Sequence, residues 1–155
     1  VSNIGCPLLQ DLKRRDFTIN AIAKNTVSEE IYDPLGGQKD ISTKLLRVLH
    51  KNSFIDDPTR IVRALKFVIR FGFEIEEHTK QLQNNYLRNI DYNMSYKRLQ
   101  KELKETFNLN SSEAFERFIE QGIYKLISPK EFKKVEYKRL ELLINKYKPK
   151  NIWIM

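Results

Sequence analysis

"DDPTRIVRALKFVIRFG", residues 56–72, opens on two carboxylates and a proline and then changes to helical spacing. Ile61, Leu65, Val68 and Phe71 recur at intervals of three and four, which lines one face of an α-helix, and Gly72 supplies a stop. Asp57 fits the capping position, with Pro58 in the first turn where a missing N–H does no harm. Arg60 lies three residues beyond Asp57 and Arg63 three beyond that, so all three share one face of the helix start.

Outward from this helix the chain reads as mainly α with a small β portion. Further helices are predicted at roughly 76–87, 95–108, 111–121 and 129–147, separated by "NIDYN", "NLNSS" and "SP". In the last of these, Phe132, Val135, Leu140, Leu143 and Tyr147 fall along one side. A polar rim over a core is the favoured reading there, with a phosphate-facing basic stripe as the alternative. Upstream, "EEIYD" (Glu29–Asp33) and "LLRVLH" (Leu45–His50) are short and apolar-rich, and they flank "DPLGGQKDI". They predict two short strands around a brief helical turn.

Lys and Arg number 28 against 20 acidic residues, a net charge of +8, and 41% hydrophobic content is enough for a core. Residues 51–155 hold 21 basic and 14 acidic side chains, against 7 and 6 in residues 1–50, so the excess lies downstream. A polyanion is the first partner this charge suggests; compositional bias with solvated helix faces is the bland alternative. A single cysteine, Cys6, permits no internal disulfide and fits a reducing cytoplasm, with a structural role. No apolar run approaches the ~18 residues of a membrane span. The chain starts at Val1 without Met, and the expectation is a piece of a longer protein.

Two clusters carry chemistry. Asp57 beside Arg60 offers an acceptor next to donors, which matches the amino group and ring nitrogen of cytosine or adenine and mismatches guanine and uracil. Local chemistry alone favours a helix cap and a surface ion pair over this base-reading role. In "DLKRRDFTINAIA" (Asp11–Ala23), Arg14 and Arg15 offer planar forks for phosphate oxygens and Asp16 an acceptor for a sugar hydroxyl. Equally, Asp16 or Thr18 could cap a helix beside solvated arginines.

Taken in order, "RRDFTINA" (residues 14–21), "DPLGGQKD" (33–40), "DDPTRIVRA" (56–64) and "MSYKRLQKEL" (94–103) resemble motifs B, C, D and E of the class II tRNA nucleotidyltransferase and bacterial poly(A) polymerase family. The resemblance runs from about Asp11 to Leu109. It implies the remnant of an α+β nucleotidyltransferase head over residues 1–54, a helical neck over 55–109 and the start of a helical body that binds RNA over 110–155. Arg15 and Asp16 would contact the incoming nucleotide, with Asp16 on the ribose hydroxyl. Asp57 and Arg60 would be a protein template for CTP and ATP, and Arg63 would support the phosphates or that pair. Asp33, Gly36 and Gly37 would form a springy element that lets the site reshape, or merely a tight turn. Ser95, Arg98 and Glu102 would brace the neck helices. Where the family usually opens motif D with Glu-Asp, this chain has Asp56-Asp57, a shorter side chain expected to orient Arg60 or Arg63.

The resemblance further implies a magnesium-dependent enzyme acting on tRNA. The family's metal-holding Asp-x-Asp of motif A occurs nowhere in the 155 residues. The expectation is that its ligands lie outside the chain and that the chain alone is inert, with no catalytic or metal-binding residue of its own. His50 and His78 stand 28 residues apart without companion ligands, and the Gly36-Gly37 pair fits neither a P-loop nor a dinucleotide fingerprint. A bacterial poly(A) polymerase and a non-catalytic helical RNA-binding module are the alternatives.

Overall fold

The computed structural model describes residues 5–127. Its elements run α1 (Gly5–Lys13), a 3-10 turn (Thr18–Asn20), β1 (Ala23–Lys24), β2 (Ile31–Tyr32), α2 (Gly37–Thr43), β3 (Leu45–Leu46), α3 (Ser53–Asp56), α4 (Thr59–Phe71), β4 (Glu74–Ile75), α5 (Glu77–Arg88), α6 (Tyr96–Leu109), α7 (Ser111–Glu120) and a closing 3-10 turn (Ile123–Leu126). The helix predicted at 129–147 lies outside the described residues.

α4 is the central element because its apolar face is complete. Ile61, Val62, Ala64, Leu65 and Val68 are all buried. Across from them α6 supplies Leu99, Leu103 and Phe107, and α7 supplies Ala114, Phe115 and Phe118. The Phe107 ring meets Phe115 and Phe118 edge-on at centroid distances of 6.5 and 5.6 Å. Each fully buried side chain of this size contributes roughly 1.5–3 kcal/mol relative to exposure. Phe17, Leu46, Val48 and Phe54 extend the same core to the N-terminal half.

Caps delimit these helices, at Asp57 and Gly72 as the sequence suggests. Asp57 Oδ1 accepts from the Thr59 backbone N–H at 3.1 Å and from Thr59 Oγ1 at 2.6 Å, just ahead of α4. Gly72, at φ +69°, ends α4 in the left-handed conformation that glycine adopts freely. Glu76, Ser95 and Asn110 accept backbone N–H bonds at the starts of α5, α6 and α7. One expectation fails: Phe71 is half exposed, not on the buried stripe. α4 is ending there, and Phe71 lies on the surface stacked on Phe67 at 5.7 Å, with the Arg70 guanidinium 5.3 Å from its ring.

The two predicted strands exist but shrink to two residues each, and they do not pair with one another. β2 pairs antiparallel with β1, and β3 pairs parallel with β4, across the whole of α4. Phe17 and Val48 add an isolated antiparallel bridge. Segments this short carry no alternation to read, so β1 and β4 escaped the sequence reading.

α2 is where "DPLGGQKD" folds, and each part has a distinct duty. Asp33 caps the helix, Oδ1 accepting from the Gly37 N–H at 2.7 Å and Oδ2 from the Gln38 N–H at 2.9 Å. Gly36 sits at φ +76°, and a Cβ on Gly37 would overlap the Thr18 carbonyl oxygen and the Ile22 side chain. α2 therefore lies hard against the Thr18–Asn20 turn, where Asp40 Oδ2 accepts from Thr18 Oγ1 at 2.6 Å.

Gly37→Ala should thus lower stability by roughly 2–4 kcal/mol through overpacking against backbone, whereas Gly36→Ala should cost only the left-handed penalty, about 1–2 kcal/mol. Urea unfolding of both variants checks the order; equal losses would contradict the close approach. For Asp33, burial pushes the carboxyl up, but the Gln38 and Gly37 N–H groups outweigh it and hold it below the usual carboxylate range. A carboxyl depressed on folding stabilises above its unfolded pKa and loses that contribution as pH falls through its folded value. Asp33→Asn should accordingly be destabilising at neutral pH, with the gap from wild type closing as pH drops below the ordinary Asp range in an acid unfolding series.

Candidate nucleotide-binding cleft

Motif B, the start of α4 and the start of α6 converge on a cleft of about 430 Å³ lined by Arg14, Arg15, Asp16, Asn20, Asp57, Arg60, Arg63, Phe67 and Arg98. Five arginines face two aspartates there, an arrangement suited to an anion that also carries a hydrogen-bonding edge.

Asp16 is buried at the cleft floor with both oxygens engaged. Oδ1 accepts from the Phe17 N–H at 2.9 Å and from Asn20 Nδ2 at 2.8 Å, while Oδ2 accepts from Arg63 Nε at 2.6 Å. Arg63 Nη1 continues to Glu102 Oε1 at 3.2 Å, and Lys66 Nζ reaches Glu102 Oε2 at 2.8 Å and Glu105 Oε2 at 2.9 Å. Burial pushes both cations toward neutrality, but Asp16 and Glu102 outweigh it for Arg63, and Glu102 and Glu105 for Lys66, so both are held above their usual values. Phe67 closes the wall, its centroid 6.0 Å from the Arg63 guanidinium.

Arg14 and Arg15 contrast with this rigidity. Each reaches back to Asp11, at 3.4 and 3.1 Å, with its side chain more than half exposed. Exposed pairs of this kind contribute little to stability, so both guanidiniums are free to turn toward a ligand.

Asp57 and Arg60 both line the cleft, but they are not paired as the spacing suggested. Asp57 Oδ2 accepts from Arg98 Nη2 at 2.6 Å. Arg60 gives Nη1 to the Ser53 carbonyl and hydroxyl, at 3.2 and 2.9 Å, and Nη2 to the Arg14 carbonyl at 3.0 Å. Arg63 lines the cleft, and its guanidinium bonds go to Asp16 and Glu102 rather than to Asp57 or Arg60. Two corrections follow. Asp56 orients no arginine: it is largely exposed, with His50 Nδ1 3.9 Å away, and Ser53 is what fixes Arg60. Arg98 also does more than brace helices, since it reaches into the cleft from α6. Ser95 caps α6 through the Arg98 N–H, and Glu102 joins α6 to α4, as bracing requires.

Asn20, Ser53, Lys66 and Phe67 escaped the sequence reading. Lys66 and Phe67 lie three and four residues after Arg63, a spacing that could have flagged them; Ser53 gave no signal. Among the described residues no three His, Cys, Asp or Glu side chains gather as a metal site, so the magnesium of the resemblance has no ligand set there. The Cys6 side chain lies outside those described.

Residues 3–47 match the family model described as the poly A polymerase head domain. The A-adding tRNA nucleotidyltransferase of Halalkalibacterium halodurans is 41% identical over 103 residues, 63% of this chain and 24% of that protein. The multifunctional CCA protein of Neisseria gonorrhoeae is 46% identical over 82 residues, 53% of this chain and 20% of that one. Among solved structures, a CCA-adding enzyme with CTP aligns at a TM-score of 0.78 and 34% identity, covering 88% of this chain and 34% of its own. The Thermotoga maritima CCA-adding enzyme complexed with tRNA-CCA aligns at 0.75 and 33%, covering 92% and 36%. The chain spans about a quarter or less of the sequence relatives and about a third of the structural ones. Motif strings, sequence identity and fold therefore agree on what this chain is similar to: the tRNA nucleotidyltransferases and CCA-adding enzymes, over the part of their length that it spans.

Proposed function

We propose that this chain forms the nucleotide-selecting part of a tRNA nucleotidyltransferase that adds C, A or both to the tRNA 3′ CCA end, from CTP and ATP and without a nucleic-acid template. The observation that carries the reading is the opening of Asp57 and Arg60 onto one arginine-lined cleft. An acceptor and a donor there can meet the amino group and ring nitrogen of C or A, while U and G would face carbonyl against carboxylate. Arg14 and Arg15 would take the triphosphate. Asp16, immobilised by three donors, would test for the ribose hydroxyl. The Asp33–Gly36–Gly37 turn would re-seat motif B between bases through its contact with Thr18. Ser95, Arg98 and Glu102 would hold α6 against α4.

In domain terms, residues 1–54 would complete a nucleotidyltransferase head, 55–109 a neck and 110–155 the start of an RNA-binding body, working in the cytoplasm. No helix among the described residues is long and apolar enough to cross a membrane. The magnesium that activates the primer hydroxyl in this chemistry would be held by carboxylates other than those described here. A poly(A) polymerase is the second reading, favoured by the head-domain match at residues 3–47.

The test uses the full-length protein carrying these residues, tRNA lacking its terminal nucleotides and an unstructured RNA. Addition of one to three nucleotides to tRNA alone is expected, with CTP or ATP used in preference to UTP and GTP, and Asp57→Ala should erase that preference. Hundreds of adenosines on either RNA would instead establish the polymerase. Equal binding of all four nucleotides by the wild type would leave only an RNA-binding module. RNA affinity should fall steeply as salt rises, because lysine and arginine contacts to phosphate release counterions.

A further inference from the structure

Asp57 and Arg60 are separated by three residues at a helix start, which is the spacing at which a carboxylate and a guanidinium ordinarily bond to each other. Had they done so, the acceptor and the donor would be consumed mutually and neither could meet a base. Each instead has another partner. Asp57 Oδ1 is occupied by Thr59, and Oδ2 is drawn off by Arg98 Nη2 at 2.6 Å from 41 residues away. Arg60 is drawn the other way, onto the buried Ser53 hydroxyl and the Arg14 carbonyl.

A second observation concerns place. Behind the main cleft lies a smaller one of about 190 Å³, bounded by Pro58, Tyr86, Asp91 and Met94 among others. Asp57 and Arg98 are the two residues that line both cavities, so their ion pair forms the partition between them. Arg98 bonds Asp57 within that partition, while Asp57 and Arg60 both still line the main cleft. A carboxylate oxygen has two lone pairs, so Oδ2 can accept from Arg98 and still accept from a base amino group.

We propose that Arg98 is a positioning residue for base selection, keeping Asp57 off Arg60 so that the two remain a separated acceptor and donor. This rests on the nucleotide-selecting reading above. Without Arg98, Asp57 swings onto Arg60, the base edge goes unread, and nucleotides bind through triphosphate and sugar alone.

The experiment measures kcat/KM of the full-length protein for CTP, UTP, ATP and GTP in wild type, Arg98→Gln and Arg98→Lys. For Arg98→Gln the CTP-over-UTP and ATP-over-GTP ratios should fall about tenfold or more, the scale of one lost base-edge contact. KM for the preferred nucleotide should change much less than these ratios. Arg98→Lys, which keeps a cation beside Oδ2, should restore part of the selection, a rescue that a merely helix-packing role would not produce. Asp57→Asn combined with Arg98→Gln should lose no more selection than Asp57→Asn alone. Selection retained by Arg98→Gln, or lost equally in Gln and Lys variants, overturns the role of Arg98 while leaving the function standing. A wild type that selects no nucleotide overturns both. Arg98 is largely exposed, which favours folding of either variant; were Arg98→Gln not to fold, Ser53→Ala, which frees Arg60 to reach Asp57, should give the same loss of ratio, and unchanged ratios there would overturn the proposal.

Discussion

The cleft depends on one guanidinium. Arg63 bonds Asp16 with Nε and Glu102 with Nη1, joining stretches of chain 47 and 39 residues away from it. An isolated carboxylate at either site would be costly, because burial disfavours charge. Two carboxylates on one guanidinium, with Lys66 as a second cation on Glu102, bring the charges close to balance. Such a network is worth little as a source of net stability, yet it is costly to break, since removing one member leaves another charge buried alone. Its structural effect is to fix three elements together: the turn after α1, the outer face of α4 and the inner face of α6. Asp16 inherits that rigidity, which its proposed role of testing for a single hydroxyl would need.

A parallel network holds the same turn from the other side. Thr18 donates to Asp40, Arg47 bonds Asp40 at 3.1 Å, and Arg47 also lies 3.6 Å from Glu76. Glu76 is in turn the cap of α5. Burial raises its carboxyl, but the His78 and Thr79 N–H groups and the Thr79 hydroxyl outweigh that, with Arg47 adding to the same side, and it is held below the usual range. Motif C thus works as a buttress, and the chain of contacts runs from the glycine turn through β3 to α5. Displacing the turn would disturb both Thr18 and the partners of Asp40, so any reshaping of the site at this point moves motif B with it.

Much of the fold was legible because it is local. α4 announces itself through Ile61, Leu65 and Val68, its stop through Gly72, and Asp57 caps where its residue type predicts. The membership of the cleft was legible too, through the motif strings that carry Arg15, Asp16, Asp57 and Arg60. What the sequence could not supply was long-range. Spacing put Asp57 against Arg60, but Arg98, 41 residues on, offered a competing partner that no local rule contains. The partners of Arg63 lay beyond local rules for the same reason, since they come from motif B and α6. Gly37 looked like half of a turn, and only the packing of α2 on Thr18 makes its missing Cβ a requirement. β1 and β4 were invisible because two-residue strands have no period.

These contacts divide the five arginines into two kinds. Arg60, Arg63 and Arg98 each have partners on other elements, at least one of them a backbone carbonyl, a buried hydroxyl or a shielded carboxylate, so their forks are fixed in direction. Arg14 and Arg15 hold only Asp11, on the surface. The distinction matches two different demands. A triphosphate is a diffuse, many-oxygen anion that any nearby guanidinium can meet, and its charge does not differ between bases, so exposed and re-orientable arginines serve it. A base edge differs by the exchange of one donor for one acceptor, and a guanidinium free to rotate would accommodate either. Selection therefore requires that the reading groups be unable to adapt. Under the proposed function, that inability would come in this chain from buried and bridging partners, on a helix whose opposite face is sealed into the core.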